Sequence, residues 1–188
     1  MNERIDAIRA EHPSKRIEVW FQDEARFGQR GTNARVWART GSRPRAVRQQ
    51  RYDYLYVLAG VCPQTGRTAG LLSPHLNTDV VNAWLRVFSE ELDDDVHAVL
   101  IWDRAGYHTS RKLRVPPNVT IIELPPRSPE LNPTENLWHY LRDHHWSNRA
   151  YDDYDDLRHT ACHSWHHTCL NPQTIQSVCR VPYLNRQD

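Results

Sequence analysis

The sequence lacks any hydrophobic run long enough to cross a membrane. Its longest apolar stretch covers residues 54–62, whereas a bilayer-spanning helix needs about twenty residues. The N-terminal residues alternate between charged and apolar types and contain no apolar core of the kind that a secretory signal peptide requires. Together these absences predict a cytoplasmic protein.

Cysteine is also scarce, with four residues at positions 62, 162, 169 and 179. No two of them form a CxxC pair, and their spacing does not suggest a disulfide framework, which agrees with a reducing cytosol. The segment 162–169 also carries three histidines. A histidine-rich amphipathic helix explains this segment, although its spacing leaves a zinc site geometrically possible.

Lysine is almost absent, since Lys15 and Lys112 are the only two, and arginine supplies nearly all of the positive charge. The formal net charge is only +1, but the charge is unevenly distributed along the chain. The planar guanidinium group suits paired hydrogen bonds to phosphate. The segment 26–51 therefore predicts contact with a nucleic acid, with a solvated loop as the alternative. It contains no acidic residue and eight arginines, which are Arg26, Arg30, Arg35, Arg39, Arg43, Arg45, Arg48 and Arg51.

The composition of the chain is that of a globular domain, with 188 residues of which 39% are hydrophobic and 25% charged. Alternating and apolar runs predict strands over 17–23, 52–62, 67–72, 96–103 and 118–124. Helical spacing predicts helices that begin near 77, 133 and 152. This order predicts an α/β fold with one mixed sheet, antiparallel in its early strands and parallel in its later strands, covered by helices. The predicted boundaries are a linker or helix remnant over 1–16, one domain over 17–168 and a tail over 169–188, for which a helix is an open alternative.

Two of the predicted strands end in an aspartate. Because side chains alternate along a strand, Asp23 shares a face with Val19 and Phe21, and Asp103 continues the apolar face of the strand that precedes it. A carboxylate that closes a core face needs a hydrogen bond, an ion pair or a metal ion. Each aspartate alone could instead cap the turn that follows it.

A third acid, Glu135, opens a predicted helix in the run Asn132-Pro133-Thr134-Glu135. An N-cap residue followed three positions later by glutamate is typical of a capping box. The capping role does not exclude a functional role for Glu135, because the first turn of a helix fixes the position of a side chain.

Three segments resemble the catalytic blocks of a known family. They are WFQDE over 20–24, IWDRAGYH over 101–108 and SPELNPTENLW over 128–138, supported by WARTGSRP over 37–44. They are similar to the blocks of DDE transposases, and most similar to those of the bacterial insertion-sequence transposases of the mariner superfamily, the IS-six-thirty type. The resemblance implies a ribonuclease-H-like fold.

The resemblance also implies a site and a reaction. Its three acids correspond to Asp23, Asp103 and Glu135, which are expected to bind two Mg²⁺ ions, or Mn²⁺ in their place. The implied reaction cuts double-stranded DNA at transposon ends and joins the freed 3′-hydroxyl to target DNA at a TA dinucleotide. The resemblance also implies a homodimer in the active complex. It implies a bacterial cytoplasmic protein that is associated with the nucleoid when it is bound to DNA.

Two further residues are accessory candidates. His108 is expected either to contact a phosphate or to orient Asp103, and Asn132 either to position the loop beside the metal site or to cap the helix alone. Glu24 is excluded from the metal site, because neighbouring side chains on a strand point to opposite faces.

Two other functions remain open at this stage. The chain could be a catalytically inactive DNA-binding remnant of a decayed element, or a ribonuclease-H-like nuclease that cuts without joining. No helix-turn-helix pattern precedes Ile17, so we expect sequence-specific recognition of transposon ends to depend on a segment outside this sequence.

Overall fold

A computed structural model describes residues 1–29, 37–43, 45, 49 and 51–184. Its centre is a five-stranded sheet in the order β3-β2-β1-β4-β5. The strands are β1 (Arg16–Gly28), β2 (Tyr54–Cys62), β3 (Arg67–Ser73), β4 (Val96–Trp102) and β5 (Val119–Glu123).

Strand direction divides the sheet into two parts. β1, β2 and β3 are antiparallel neighbours, whereas β4 runs parallel to β1 and β5 runs parallel to β4. The tight β2–β3 turn ends at Gly66, whose φ of 74° is the left-handed conformation that glycine adopts most easily. The predicted mixed sheet is therefore confirmed.

β1 is longer than the predicted strand 17–23. Its second half has no parallel neighbour, but residues 21–28 pair with residues 54–61 of β2 and so continue the antiparallel ladder. Ala25 and Phe27 are buried while Arg26 is exposed, so the period-two alternation continues beyond Asp23 and the predicted end of this strand is too early.

Five α-helices are present in the described part of the chain: α1 (Asn2–Glu11), α2 (Thr78–Glu90), α3 (Thr134–Leu141), α4 (Tyr154–Ser164) and α5 (Pro172–Val178). α2 begins where predicted, because the Asn77 side chain accepts a hydrogen bond from the Val80 amide. α3 and α4 continue into π-helical turns over Arg142–Trp146 and Trp165–Cys169. None of the described helices combines the length and apolar character needed to cross a membrane.

The sheet separates two hydrophobic clusters. Val19, Phe21 and Ile101 belong to the cluster that α3, α4 and α5 cover, and Trp20 and Leu100 point into the cluster on the α2 side. Alternate residues of β1 and β4 thus enter opposite cores, as period-two alternation predicts.

The two ends of the chain also pack on the sheet. Ile5 and Ile8 of α1 are buried in the same cluster as Val19, and so is Ile175 of α5. α1 lies in the segment predicted as a linker or helix remnant, and α5 lies in the predicted tail. The domain boundaries at 16/17 and 168/169 stay predictions.

Candidate active site

Asp23, Asp103 and Glu135 line one cavity. Asp23 lies within β1, Asp103 directly follows β4, and Glu135 is in the first turn of α3. The cavity has a volume of about 290 Å³, and its wall also includes Arg104, Asn132 and residues 124–129. Because β1 and β4 are adjacent and parallel, their acids meet at the same edge of the sheet, where sites of open α/β sheets form.

The carboxyl group of Asp23 lies in a surrounding that disfavours its charge. Burial, followed by the nearby charge of Glu24, raises its pKa to about 7, and Glu135 adds to the increase. The indole Nε1 of Trp138 donates a 2.8 Å hydrogen bond to Asp23 Oδ2 and partly opposes the shift. The charge of Asp23 thus has a hydrogen-bond donor but no cationic partner among the described residues.

The carboxyl group of Asp103 lies in the opposite kind of surrounding. His108 Nδ1 is 2.9 Å from Asp103 Oδ1, and the Ala105 amide donates to the same oxygen at 2.9 Å. The hydrogen bond from His108 lowers the pKa of Asp103 although burial acts against it. Asp103 is therefore ionised and oriented by groups of the chain itself.

His108 connects Asp103 to a second carboxylate. Its Nε2 lies 3.0 Å from Glu24 Oε1, while Tyr107 and Gln22 donate to the same carboxylate at 3.0 and 2.8 Å. Burial alone would lower the pKa of His108, but the hydrogen bonds to Asp103 and Glu24 raise it to about 9. The imidazole is thus a cation at neutral pH, with both ring nitrogens donating.

This geometry bears on the expected roles of His108 and Glu24. The His108 side chain is 1% exposed and the Glu24 side chain 5%. The enclosure of the ring and its contact with Asp103 favour the prediction that His108 orients Asp103 over the alternative that it contacts a phosphate. Glu24 is directed toward His108 and is absent from the cavity wall.

Glu135 is positioned by the loop that precedes it. Asn132 Nδ2 donates to the Gln22 carbonyl oxygen at 2.9 Å, and Asn132 Oδ1 accepts from the Thr134 amide. The Asn132 amide donates to the Pro129 carbonyl oxygen, so the donor that a capping box would offer to Glu135 is already used. Asn132 thus satisfies the amide of the first residue of α3 and fixes the start of this helix against β1.

The chemistry of this donor set fits divalent cations. Carboxylate oxygens are the ligands that Mg²⁺ and Mn²⁺ prefer, and a cation would relieve the raised pKa of Asp23. Among the described residues, no three His, Cys, Asp or Glu side chains are close enough to enclose a metal ion. Mg²⁺ does not require such a cage, because it keeps several waters and binds through one or two carboxylates plus substrate phosphates.

The arginine segment is only partly described. Arg26 places its guanidinium 5.3 Å from the centre of the Tyr54 ring, and Arg51 donates to the Asp152 carbonyl oxygen. Arg39, Arg43 and Arg45 are exposed. The predictions for Arg30, Arg35 and Arg48 lie outside the described residues.

The segment 162–169 forms no metal site with the other described residues. Cys169 is buried in the core, and His163 and His167 pack ring against ring with centroids 4.3 Å apart. All four cysteines are free. The helix interpretation accounts for this segment.

Sequence reasoning missed two residues of the cavity region. Trp138 lies three residues after Glu135, on the same face of α3, and this spacing was the available signal for its contact with Asp23. Arg127 belongs to the cavity wall and has a φ of 61°. Its position between prolines indicated a turn but not its place beside the acids.

Comparison with solved structures identifies the fold. A pre-cleavage Mos1 transpososome has a TM-score of 0.63 at 12% identity, with 94% of this chain and 56% of that chain covered. The Mos1 mariner paired end complex with Mn has the same TM-score, identity and coverages. The Mos1 strand transfer complex has a TM-score of 0.60 at 12% identity, with 95% of this chain and 54% of that chain covered. The ribonuclease-H-like fold is thereby confirmed. The chain spans about half the length of these solved chains.

Sequence comparison adds a relative and a family. The protein named Uncharacterized protein y4pE/y4sA from Sinorhizobium fredii (strain NBRC 101917 / NGR234) is 44% identical over 125 residues, which cover 66% of this chain and 93% of that protein. The family model described as DDE superfamily endonuclease matches residues 18–158, a range that contains all three acids of the cavity. The chain therefore belongs to the DDE superfamily endonuclease family.

Proposed function

We propose that the chain is the catalytic domain of a transposase of the bacterial IS-six-thirty type. In this proposal it cuts double-stranded DNA at transposon ends and transfers the freed 3′-hydroxyl into target DNA at a TA dinucleotide. The observation that carries the proposal is the meeting of Asp23, Asp103 and Glu135, which are distant in sequence, in the wall of one cavity.

Asp23, Asp103 and Glu135 are the residues that would hold two Mg²⁺ ions, or Mn²⁺ in their place. When bound, such ions neutralise charge at the phosphate and lower the pKa of the attacking water or 3′-hydroxyl. The Mos1 paired end complexes described with Mn and with Mg are proteins of the same fold. They support this choice of metal for our chain.

The rest of the site positions these acids. Trp138 holds one oxygen of Asp23 through its indole N–H, and His108 holds one oxygen of Asp103. Asn132 fixes the first turn of α3 against β1 and so limits where Glu135 can lie. The protein contribution to the reaction is alignment of carboxylates on a rigid sheet edge, which is the main requirement of phosphoryl transfer.

The arginine segment would bind the DNA backbone beside the first acid. Arg26 extends from the far end of β1, and the exposed Arg39, Arg43 and Arg45 follow it in the chain. Such contacts position the duplex without reading its sequence, and their strength falls as salt increases. The Mos1 transposase paired-end complex with left transposon end supports assembly on DNA, and we propose a homodimer in the active complex.

A plasmid nicking assay tests the proposal. The substrate is a supercoiled plasmid that carries the genomic DNA flanking the coding frame, incubated with the chain, alone or fused to the coding region that precedes it, and with Mg²⁺, Mn²⁺ or a chelator. We expect nicking only with metal, and the variant Asp103→Asn should reduce its rate at least about a hundredfold. Asp143→Asn, which changes an exposed acid outside the cavity, is the matched control and should nick like the natural chain.

A joining assay separates the proposal from its two alternatives. A pre-cut duplex with a free 3′-hydroxyl is offered together with a target plasmid, and joined product is measured. Nicking without joining would indicate a nuclease. Salt-dependent DNA binding without nicking or joining would indicate an inactive remnant, and unchanged nicking by Asp103→Asn would refute the assignment of the site.

A further inference from the structure

Arg127 has a backbone conformation that arginine seldom adopts. Its φ is 61°, and among the described residues Asn148 is the other non-glycine residue with a positive φ. Side chains with a Cβ are strained in this region, whereas glycine adopts it freely. Strained residues of this kind concentrate at functional sites, where the surrounding structure holds them in place.

The segment that carries Arg127 is fixed at both ends. The amide of Leu124, which is buried, donates to the Trp102 carbonyl oxygen at 2.8 Å, and the Asn132 side chain ties the other end to β1. Pro125, Pro126 and Pro129 restrict the backbone between these anchors. Arg127 is therefore presented at the cavity by a constrained loop.

Arg127 also differs in charge environment from the other cation in the cavity wall. Arg104 forms a 3.0 Å ion pair with Glu123. Arg127 is exposed and has no hydrogen-bond or ion-pair partner among the described residues. The wall that contains three carboxylates thus also contains one guanidinium group that is available to an external anion.

We propose that Arg127 binds a backbone phosphate of the DNA strand that enters the cavity, next to the phosphodiester that reacts. This assignment rests on the proposed function, since it takes DNA as the ligand of the cavity. A guanidinium group offers paired hydrogen bonds to phosphate oxygens. Attraction to phosphate also opposes the repulsion between the DNA strand and the carboxylates around it.

The backbone provides a variant that separates charge from structure. Arg127→Gly removes the guanidinium group and suits the positive φ, so the fold should be at least as stable as before. Arg127→Lys keeps the charge. Asn148→Gly is the backbone control because it changes the other positive-φ residue, and Arg4→Gln is the charge control because it removes an exposed cation from α1.

The experiment measures fluorescence anisotropy of a labelled duplex of arbitrary sequence, with Ca²⁺ as the carboxylate-binding cation, over a range of salt concentrations. A phosphate contact carries no sequence information, so any duplex is a valid probe. We expect Arg127→Gly to weaken binding about tenfold near 0.1 M salt and to reduce the slope of log K against log salt by about 1. Arg127→Lys should restore the slope, and the two controls should bind within about twofold of the natural chain.

Unchanged affinity and slope in Arg127→Gly would overturn the inference. So would a loss of binding that Arg127→Lys does not restore and that accompanies a fall in Tm, because that result indicates a structural role. If the natural chain binds DNA and depends on Arg127 but never nicks or joins it, the phosphate contact stands and the proposed reaction fails. Absence of any DNA binding by the natural chain would overturn both.

Discussion

Asp23 and Asp103 lie at the same edge of the sheet and line the same cavity, but their surroundings are opposite. Asp103 is held by the cationic His108, and its pKa is lowered. Asp23 is more deeply enclosed and lies near the charges of Glu24 and Glu135, and its pKa is raised to about 7. Neighbouring parallel strands have thus placed one carboxylate beside an internal cation and one without a cation.

The difference separates two tasks within one site. The Asp103 side is assembled by the chain before any ligand arrives, because a buried imidazolium already links Asp103 to Glu24. The carboxylate charge of Asp23 is unfavourable in the protein alone, so a bound cation would reduce its electrostatic cost. Each single variant below changes a group on one of these two sides.

The largest effect is expected from His108→Ala. Loss of the ring leaves the carboxylate of Glu24 buried without its cation, and breaking a buried ion pair by removing one partner costs about 3–5 kcal/mol. His108 has a folded pKa of about 9 against 6.5 when unperturbed. Its contribution to stability is therefore complete below pH 6.5 and is lost as the pH rises through about 9. Urea unfolding at several pH values measures both effects.

A double variant provides the control for this prediction. Adding Glu24→Gln to His108→Ala removes the unpaired charge and should recover part of the lost free energy of unfolding. A loss in His108→Ala that is small, or equal at pH 6 and pH 9.5, would contradict the ion-pair account.

The next effect concerns the two aspartates directly. Asp23→Asn should raise Tm at pH 8 by about 3–6 °C, because it removes a charge that the fold disfavours. The raised pKa means that the protonated form of Asp23 favours folding, and this contribution is lost as the pH rises from 3.8 through about 7. The variant and the natural chain should therefore converge in stability near pH 4.

Asp103→Asn is the matched variant and should have the opposite sign. The lowered pKa of Asp103 stabilises the fold above pH 3.8 and is lost in acid, and the effect is small because the side chain is 57% exposed. Thermal unfolding with and without Mg²⁺ completes the comparison, since bound metal raises Tm by mass action. A destabilised Asp23→Asn at pH 8 would refute the charge argument.

The face that each aspartate occupies and the start of α2 can be predicted from local sequence patterns. Period-two alternation places Asp23 and Asp103 on the apolar face of their strands, and the structure agrees for the neighbouring Val19, Phe21 and Ile101. The start of α2 follows from a single residue, Asn77, whose side chain has a fixed capping role. These features depend on residues that are close in sequence.

The electrostatic difference between Asp23 and Asp103 could not be predicted from local sequence rules. The contact of Asp23 with Trp138 and that of Glu24 with His108 each join residues that are more than 80 positions apart. Alternation predicts the face that a side chain occupies but not the group that meets it there. The loop that carries Arg127 is likewise anchored to residues distant in sequence, because the Leu124 amide donates to the Trp102 carbonyl oxygen and the Asn132 side chain to that of Gln22.

The last variant is Trp138→Phe, which keeps most of the buried ring and removes the donor to Asp23 Oδ2. Loss of a hydrogen bond to a charged group costs about 1.5–3 kcal/mol. The hydrogen bond lowers the pKa of Asp23, so its removal should raise that pKa further. The free energy of unfolding should therefore fall more at pH 8, where Asp23 is ionised, than at pH 5.

Trp146→Phe is the matched control, because this indole is also buried and donates to the neutral hydroxyl of Ser164 at 2.9 Å. Its cost should be similar at the two pH values, since neither partner titrates between them. In an Asp23→Asn background, the cost of Trp138→Phe should no longer depend on pH, and the cost of Trp146→Phe should stay similar at the two pH values. Equal pH dependence in both tryptophan variants would show that the indole of Trp138 acts through packing, and the electrostatic difference between Asp23 and Asp103 would then rest on burial and neighbouring charge alone.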